Sequence, residues 1–304
     1  MQKLSQLDVE RLLKRATYAS TGVVIVLITI KTFAWLWTDS ISILASLVDS
    51  CLDAAASLLN LLAIRQALMP ADKHYRFGYG KLESLAGLGQ AVFITTSAIF
   101  LLFEAYHRFT HPQPIQAIGI GLGVTVISII LTLALVAFQK HVINKTQSTA
   151  IGADALHYQS DLLMNISVII ALGLSVWGWQ GFDAIFGFAI GLYILFSAYQ
   201  IIRHAMHDLM DKELSFNDRE RIKATALSHP KVLGVHDLRT RKSGITCFIQ
   251  LHIEIDDQKS LFEAHQISDE VEAIIAELFP STEIIIHQDP AHLIESHPNH
   301  AVDE

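Results

Sequence analysis

The sequence predicts an all-α membrane domain of six transmembrane helices followed by a cytoplasmic α+β domain, roughly ferredoxin-like or metallochaperone-like. Three observations carry this. Hydrophobic residues make up 51% of the chain and charged residues 17%, against roughly 25% charged in an ordinary soluble domain, and the mean hydropathy is +0.39. Six apolar runs precede residue 209, each near the ~20 residues that a helix needs to cross a bilayer. Beyond Leu209 the chain becomes charged, and its apolar residues recur at strand and amphipathic-helix spacing.

The N-terminal segment, residues 1–15, is polar and carries Lys3, Arg11, Lys14 and Arg15, a basic cytoplasmic lead-in to a span. The runs 16–37, 41–64, 82–106, 115–138, 150–177 and 182–202 then make a transport-sized membrane domain over 16–208. The first run is too long for a signal-peptide core and no small-residue cleavage pattern follows it, so it is expected to stay in the mature protein. An even number of spans puts both ends on one side. Loop charge chooses which: Arg65, Lys73, Arg76 and Lys81 flank the second connection and Lys140 and Lys145 the fourth, whereas 38–40 and 178–181 hold no lysine or arginine and the third has Arg108. The basic loops belong in the cytoplasm with both termini, in an inner (plasma) membrane. Trp35, Trp37, Trp177 and Trp179 sit at the opposite ends of the first and fifth spans, where an aromatic belt is expected.

The soluble domain, residues 209–290, reads as a helix over 217–229, strands over 232–241 and 246–255 around the Ser243-Gly244 turn, a helix over 261–279 and a strand over 283–287. The tail 291–304, with His292, His297 and His300, is polar and expected to be disordered. The two cysteines, Cys51 and Cys247, form no metal or redox spacing and are read as reduced structural residues. A formal charge of -8 without any basic cluster excludes a nucleic-acid partner.

Two stretches carry the chemistry. Asp49 and Asp53 in the second span, and His157 and Asp161 in the fifth, are each four residues apart, so each pair presents both side chains on one helical face. Three carboxylates and an imidazole are the ligand set of a four-coordinate divalent ion such as zinc. Ionised groups inside a span cost at least a few kcal/mol, on the order of 3 each, and require a reason. Metal binding, a proton relay without metal, and a structural pairing with a lysine are all compatible with the spacing. Lys31 is the available partner, but it lies toward the outer end of its span and can snorkel. Asp154 and Asn165 lie on a similar face and read as groups at the mouth of the site or supporting its ligands. Metal and protons compete for such a set, which is what an exchanger requires. In the soluble part, His287 and Asp289 project to one face of a strand, with His252 and His236 in the preceding strands and His265 in the second helix; a metal site and scattered surface histidines remain alternatives there.

These residues resemble the cation diffusion facilitators, in particular their bacterial zinc and ferrous-iron efflux branch. The resemblance runs from Arg15 to Pro290 and rests on Asp49/Asp53, on His157/Asp161 with histidine first, and on the ending Ile286-His287-Gln288-Asp289-Pro290. It implies a homodimeric, proton-coupled antiporter that exports Zn2+, with Fe2+ and Cd2+ as further substrates. It also implies a zinc site at the dimer interface formed by His236, His252, His265, His287 and Asp289, where Asp289 bridges two ions. Lys81 and Asp211 match a salt-bridge interlock between protomers, and Glu83 has a weaker case for a role at the same junction. The chain departs from the family pattern at 72–81. There members of that branch place an aspartate and two histidines around a phenylalanine, and this sequence keeps Asp72 but has Tyr75 and Tyr79, with His74 displaced by one residue. A neutral phenol, with pKa about 10, is a poor zinc ligand, so the loop is expected to hold metal weakly or not at all, through Asp72 and His74 if at all. A membrane-embedded metalloenzyme and a metal sensor are the competing functions. The enzyme reading lacks an open metal position and a further base, and a sensor has no need of ligands at mid-membrane.

Overall fold

The computed structural model describes residues 6–38, 41–110, 119–176, 182–279 and 281–292. The chain divides into two compact units, one spanning Asp8–Met206 and the other holding the chain from His207 onward.

The first unit is built from α1 (Gln6–Thr38), α2 (Ile41–Ala67), α3 (Lys81–Thr110), α4 (Gly119–Thr146), α5 (Thr149–Val176) and α6 (Phe182–Leu209). Over their described residues, α1, α2, α3, α4 and α6 are long and apolar enough to cross a membrane by length and composition. The 28-residue α5 carries Asp154, His157, Gln159, Asp161 and Asn165 in its first two-thirds. Large apolar side chains face outward: Phe33, Phe100, Phe103 and Phe196 are all more than 60% exposed. That is untenable for a water-facing surface and natural for a lipid-facing one. Small residues let the helices approach closely. A Cβ on Gly87 of α3 would lie 2.9 Å from Cγ2 of Thr149 at the start of α5. Ile94, Ala98, Leu156, Ile194 and Ala198 join α3, α5 and α6 in one core, while Val24, Leu135, Val136 and Tyr158 join α1, α4 and α5 in another. Trp35 and Trp37 close α1, with Trp37 at the surface; Trp177, Trp179 and the tail histidines His297 and His300 lie outside the described residues.

The second unit contains α7 (Phe216–Leu227), β1 (Gly234–Ser243), β2 (Thr246–Ile255), α8 (Leu261–Leu278) and β3 (Thr282–Pro290). Its helices start where short polar side chains can cap them. The Ser215 hydroxyl accepts from the Asp218 amide, and Ser260 with Glu263 makes a full capping box. The described sheet has the order β1-β2-β3, with β1 antiparallel and β3 parallel to β2, so α8 serves as the crossover that a parallel pair requires. One sheet face packs on the helices through Leu238, Ile249, Leu251, Ile253 and Ile284 against Ile222, Ile267, Val271 and Ile275. Strand alternation sends His252, Glu254, His287 and Asp289 to the other face. β3 runs three residues further than the hydrophobic pattern suggested, because its pairing with β2 continues to Pro290. The extension brings Asp289 into the sheet.

Candidate metal centres

In the membrane-type unit, α2 and α5 bring Asp53, His157 and Asp161 together, with one potential ligand atom from each inside a 4.8 Å span. His157 Nε2 lies 2.8 Å from Asp53 Oδ1 and 3.8 Å from Asp161 Oδ2. A zinc ion about 2 Å from each ligand needs ligand atoms roughly 3 to 3.5 Å apart, so a shift of about half an ångström would close Asp161 onto an ion. The short contact between Nε2 and the Asp53 carboxylate also has a chemical meaning. The nitrogen lone pair that would bind metal is the one that holds the bridging proton, so ion and proton exclude each other on the same atom. Asp49 lies one turn before Asp53 on α2, is exposed, and does not belong to the convergent trio.

Three neighbouring side chains support this arrangement. Tyr158, buried beside His157, shares a 2.6 Å hydrogen bond with the Ser57 hydroxyl, tying α5 to α2 one turn beyond Asp53. Of the two places the sequence left for Asp154, at the mouth of the site or supporting its ligands, the first does not hold, because Asp154 is fully buried. Its Oδ1 accepts from Gln90 Nε2 of α3 at 3.1 Å and its Oδ2 from Gln139 Nε2 of α4 at 2.7 Å. The pairing of a buried carboxylate with two amides was invisible in spacing along one helix. Lys31 was expected to snorkel to the membrane surface. Instead its Nζ donates to the Ser46 carbonyl at 3.1 Å and to the Ser50 hydroxyl at 2.6 Å, both on α2. A polar strip on the facing helix offered a nearer partner than water. Asn165 is half-buried further along α5.

In the soluble unit, strand register aligns three histidines in one row: His236 pairs with His252, and His252 with His287. Their rings stand 5.2 and 4.6 Å apart. Asp289, only 5% exposed, is the centre on which they converge. His236 Nε2 lies 3.2 Å and His252 Nδ1 2.8 Å from its Oδ2, while His287 Nε2 lies 3.2 Å from its Oδ1. The trio that meets ligand spacing is His236, His252 and Asp289. Two carboxylates escaped the sequence reading: Glu254, 3.2 Å from His236 Nδ1, and Asp237, 3.6 Å from His252 Nε2. Asp237 sits in a register shift between His236 and Arg239 with φ of 44°, a backbone kink that periodicity cannot forecast. His265 is not brought to this row within one chain; it is exposed on α8 and lies 3.7 Å from Asp269.

The 72–81 loop is organised by hydrogen bonds to Asp72. Asp72 Oδ1 accepts the His74 and Tyr75 amides, both at 2.8 Å, and the Tyr79 hydroxyl donates to Oδ2 at 2.6 Å. Tyr75 and Tyr79 stack at 4.7 Å between ring centroids. The Tyr79 hydroxyl, followed by the Tyr75 and His74 amides, holds the Asp72 carboxyl below its ordinary range. The same bond pushes the Tyr79 phenol up to about 12. Both carboxylate oxygens are engaged, and the His74 backbone rather than its ring contacts Asp72. Lys81 opens α3 and Glu83, in its first turn, is buried. Asp211, with φ of 56°, faces Arg241 at 3.5 Å, and that guanidinium lies over the Phe248 ring at 4.5 Å.

Comparison with known proteins agrees with both units. Residues 17–210 match the family model of the cation efflux transmembrane domain, and 214–291 that of the cation efflux protein cytoplasmic domain. The chain is 49% identical over 284 residues to the cation-efflux pump FieF of Klebsiella pneumoniae, covering 93% of this chain and 95% of that one. Identity to FieF of Salmonella choleraesuis is likewise 49% over the same shares. The solved structure of CzrB in its zinc form aligns with 26% of this chain and 92% of its own, at 34% identity and a TM-score of 0.26. With both of its parts matched and relatives this similar along nearly the whole chain, the protein belongs to the cation efflux family of membrane proteins, the cation diffusion facilitators.

Proposed function

We propose that this cation efflux protein exports divalent metal ions from the cytoplasm in exchange for protons, with Zn2+ the foremost substrate and Fe2+ and Cd2+ also carried. The observation that carries the reading is the convergence of Asp53, His157 and Asp161 between two helices of the membrane-type unit, with Asp49 one turn away to complete a set of four. Mixed nitrogen and oxygen ligands suit zinc better than calcium or magnesium, and the proton shared by His157 and Asp53 supplies a chemical basis for exchange.

The remaining assignments follow the same reading. Residues 16–208 form the transport domain and 209–290 a cytoplasmic metal-binding and dimerisation domain, flanked by the segment 1–15 and the tail 291–304. Both termini lie on the cytoplasmic side of an inner membrane, in keeping with the basic loops. The soluble cluster fits a resident zinc ion: a buried carboxylate with both oxygens approached by imidazole nitrogens is a donor set of the right type. His236, His252, His287 and Asp289 would hold it, and His265, exposed on α8, is positioned for a ligand role only with a second copy. Such an ion supplies a crosslink whose binding energy stabilises the domain and its pairing. Homodimer formation is supported by the match of 214–291 to a family domain named for dimerisation, and Lys81 and Asp211 are assigned to the junction between protomers. The protein acts as a transporter and not as an enzyme.

The test is zinc flux into sealed vesicles containing the purified protein under an imposed pH gradient. Uptake that follows the gradient is the expected result. Zinc binding without flux would leave a sensor, and catalytic turnover without flux a metalloenzyme.

A further inference from the structure

Lys31 has no place in the ligand set, yet it is held on the helix that carries Asp49 and Asp53. It lies seven residues before the end of α1, a depth of about 10 Å at 1.5 Å per residue, too far for the ammonium to be left without an anchor in an apolar layer. The anchor is α2. Nζ donates to the Ser46 carbonyl and the Ser50 hydroxyl, and Ser50, itself buried, is the residue between Asp49 and Cys51. Ser50 stands between Asp49 and Asp53 on α2, so the ammonium is anchored on the helix that carries two of the three carboxylates of the transport set, and the third, Asp161, converges with Asp53. Counting them with Lys31 changes the balance of the site. Three carboxylates, a neutral imidazole and a divalent ion sum to one negative charge; the ammonium brings the occupied site to zero.

We propose that Lys31 is a tethered countercation of the transport site, a positioning residue that weakens the hold of the carboxylates on the metal and so allows the ion to leave. The inference rests on the transport reading above. A fixed positive charge near a divalent cation is repulsive, and in a medium of intermediate dielectric the repulsion is worth about tenfold or more in affinity. An ion held that much more tightly dissociates more slowly, so the lysine trades affinity for turnover.

The experiment uses the full chain in lipid nanodiscs and vesicles, with the soluble cluster disabled by H252A and D289A so that zinc titration reports the membrane site. Lys31→Met is expected to bind zinc about tenfold more tightly than its parent and to release it more slowly, with lower flux at saturating zinc. Lys31→Arg is expected to stay within about threefold of the parent in both measurements. Structural damage would weaken binding, so the sign of the change separates an electrostatic role from a packing one. Lys31→Gln keeps a donor for the Ser46 carbonyl and the Ser50 hydroxyl, and gives the same readout if the methionine variant does not fold. Unchanged or weaker zinc binding in the neutral variants overturns the proposal. An accompanying Asp53→Ala protein distinguishes the two levels: if it binds zinc like its parent, the transport-site reading falls and the countercation role with it; if it loses zinc while Lys31→Met does not gain, only the role of Lys31 is refuted.

Discussion

The hydrogen bond between Tyr158 and Ser57 makes a quantitative prediction, because it joins α5 to α2 immediately beside the ligands that those helices contribute. Interhelical hydrogen bonds in membranes are worth about 0.6 kcal/mol on average and up to about 1.7, and a buried group left without a partner costs about 1 to 3 kcal/mol. The two truncations are not equivalent. In Tyr158→Phe the surviving Ser57 hydroxyl can turn back to a carbonyl of its own helix, as serines in helices do, which limits the loss to about 1 kcal/mol. In Ser57→Ala the Tyr158 phenol, only 2% exposed, keeps a hydroxyl with no comparable local acceptor, and the loss approaches about 2 kcal/mol. If the bond serves to hold Asp53 against His157, these energies appear in zinc affinity: a weakening of about fivefold for Y158F and about 25-fold for S57A, at 1.4 kcal/mol per decade. The double variant removes both partners and should be no worse than S57A alone. Zinc titration calorimetry of the four proteins, with the soluble cluster disabled, is the assay. Affinities that are unchanged in both single variants, or losses that simply add in the double variant, would refute the claim that this bond organises the site.

Replacement of Asp53 or Asp161 by Ala is expected to abolish zinc flux in vesicles while leaving a folded dimer by size-exclusion chromatography, since a four-ligand site that loses an anionic ligand holds its ion poorly; wild-type flux in either variant would contradict it. His157→Asp makes the set all-oxygen and should move preference from zinc toward manganese in competition assays. Zinc affinity at this site should fall as pH drops from about 7.5 to 5.5, through the ordinary histidine range near 6.5, and a flat profile would argue against exchange of metal for protons. Asp289→Ala or His252→Ala should lower the zinc content per protomer of the full chain, read by atomic emission after dialysis, without touching flux-dependent binding at the membrane set. In the 72–81 loop, the bond from Tyr79 to Asp72 has a defined pH window. A carboxyl lowered on folding contributes stability above its ordinary value of about 3.9 that is lost as pH falls through the folded value. A phenol raised to about 12 contributes stability fully present below about 10 and lost as pH rises through the folded value. The loop should therefore be constant across the physiological range, Tyr79 should ionise near pH 12 in an ultraviolet titration of difference spectra between the parent and Tyr79→Phe, and Asp72→Ala with His74→Ala should leave zinc stoichiometry unchanged.

What could be read from the chain alone was whatever obeys a local period. Pairs four apart on a helix and the alternation of β2 depend on residues within one turn or one strand. The features that escaped depend on a second element. His236, His252 and His287 form a row only because β1 and β3 pair with β2 in one register, and a slip by one residue would have sent a histidine to the helix-covered face. Lys31 was ambiguous because an ammonium on a four-carbon stem reaches both the membrane surface and a neighbouring helix. The polar stripe of Ser46 and Ser50 decided between them only once α1 and α2 were side by side. The place of Asp154 was left open for a related reason: its partners Gln90 and Gln139 lie 64 and 15 residues away in sequence, on different helices. In the loop, the weakness of tyrosine as a ligand was foreseeable from its phenol, but the capture of the second Asp72 oxygen by Tyr79 required the turn geometry.

The clasp of Asp154 by two glutamine amides bears on how this molecule can move. A carboxylate without its amide donors deep in an apolar interior would be stranded, so α5 cannot roll or slide alone against α3 and α4 without a penalty of several kcal/mol, on the order of 3 or more. The three helices are geared together at that point. By contrast, what joins α5 to α2 in the same region is a hydroxyl pair and the ligand contact of Asp53 with His157, both of which a bound ion or a shifted proton can remake. The more compliant seam of α5 is therefore the one it makes with α2, and Asp53 stands on one side of it with His157 and Asp161 on the other.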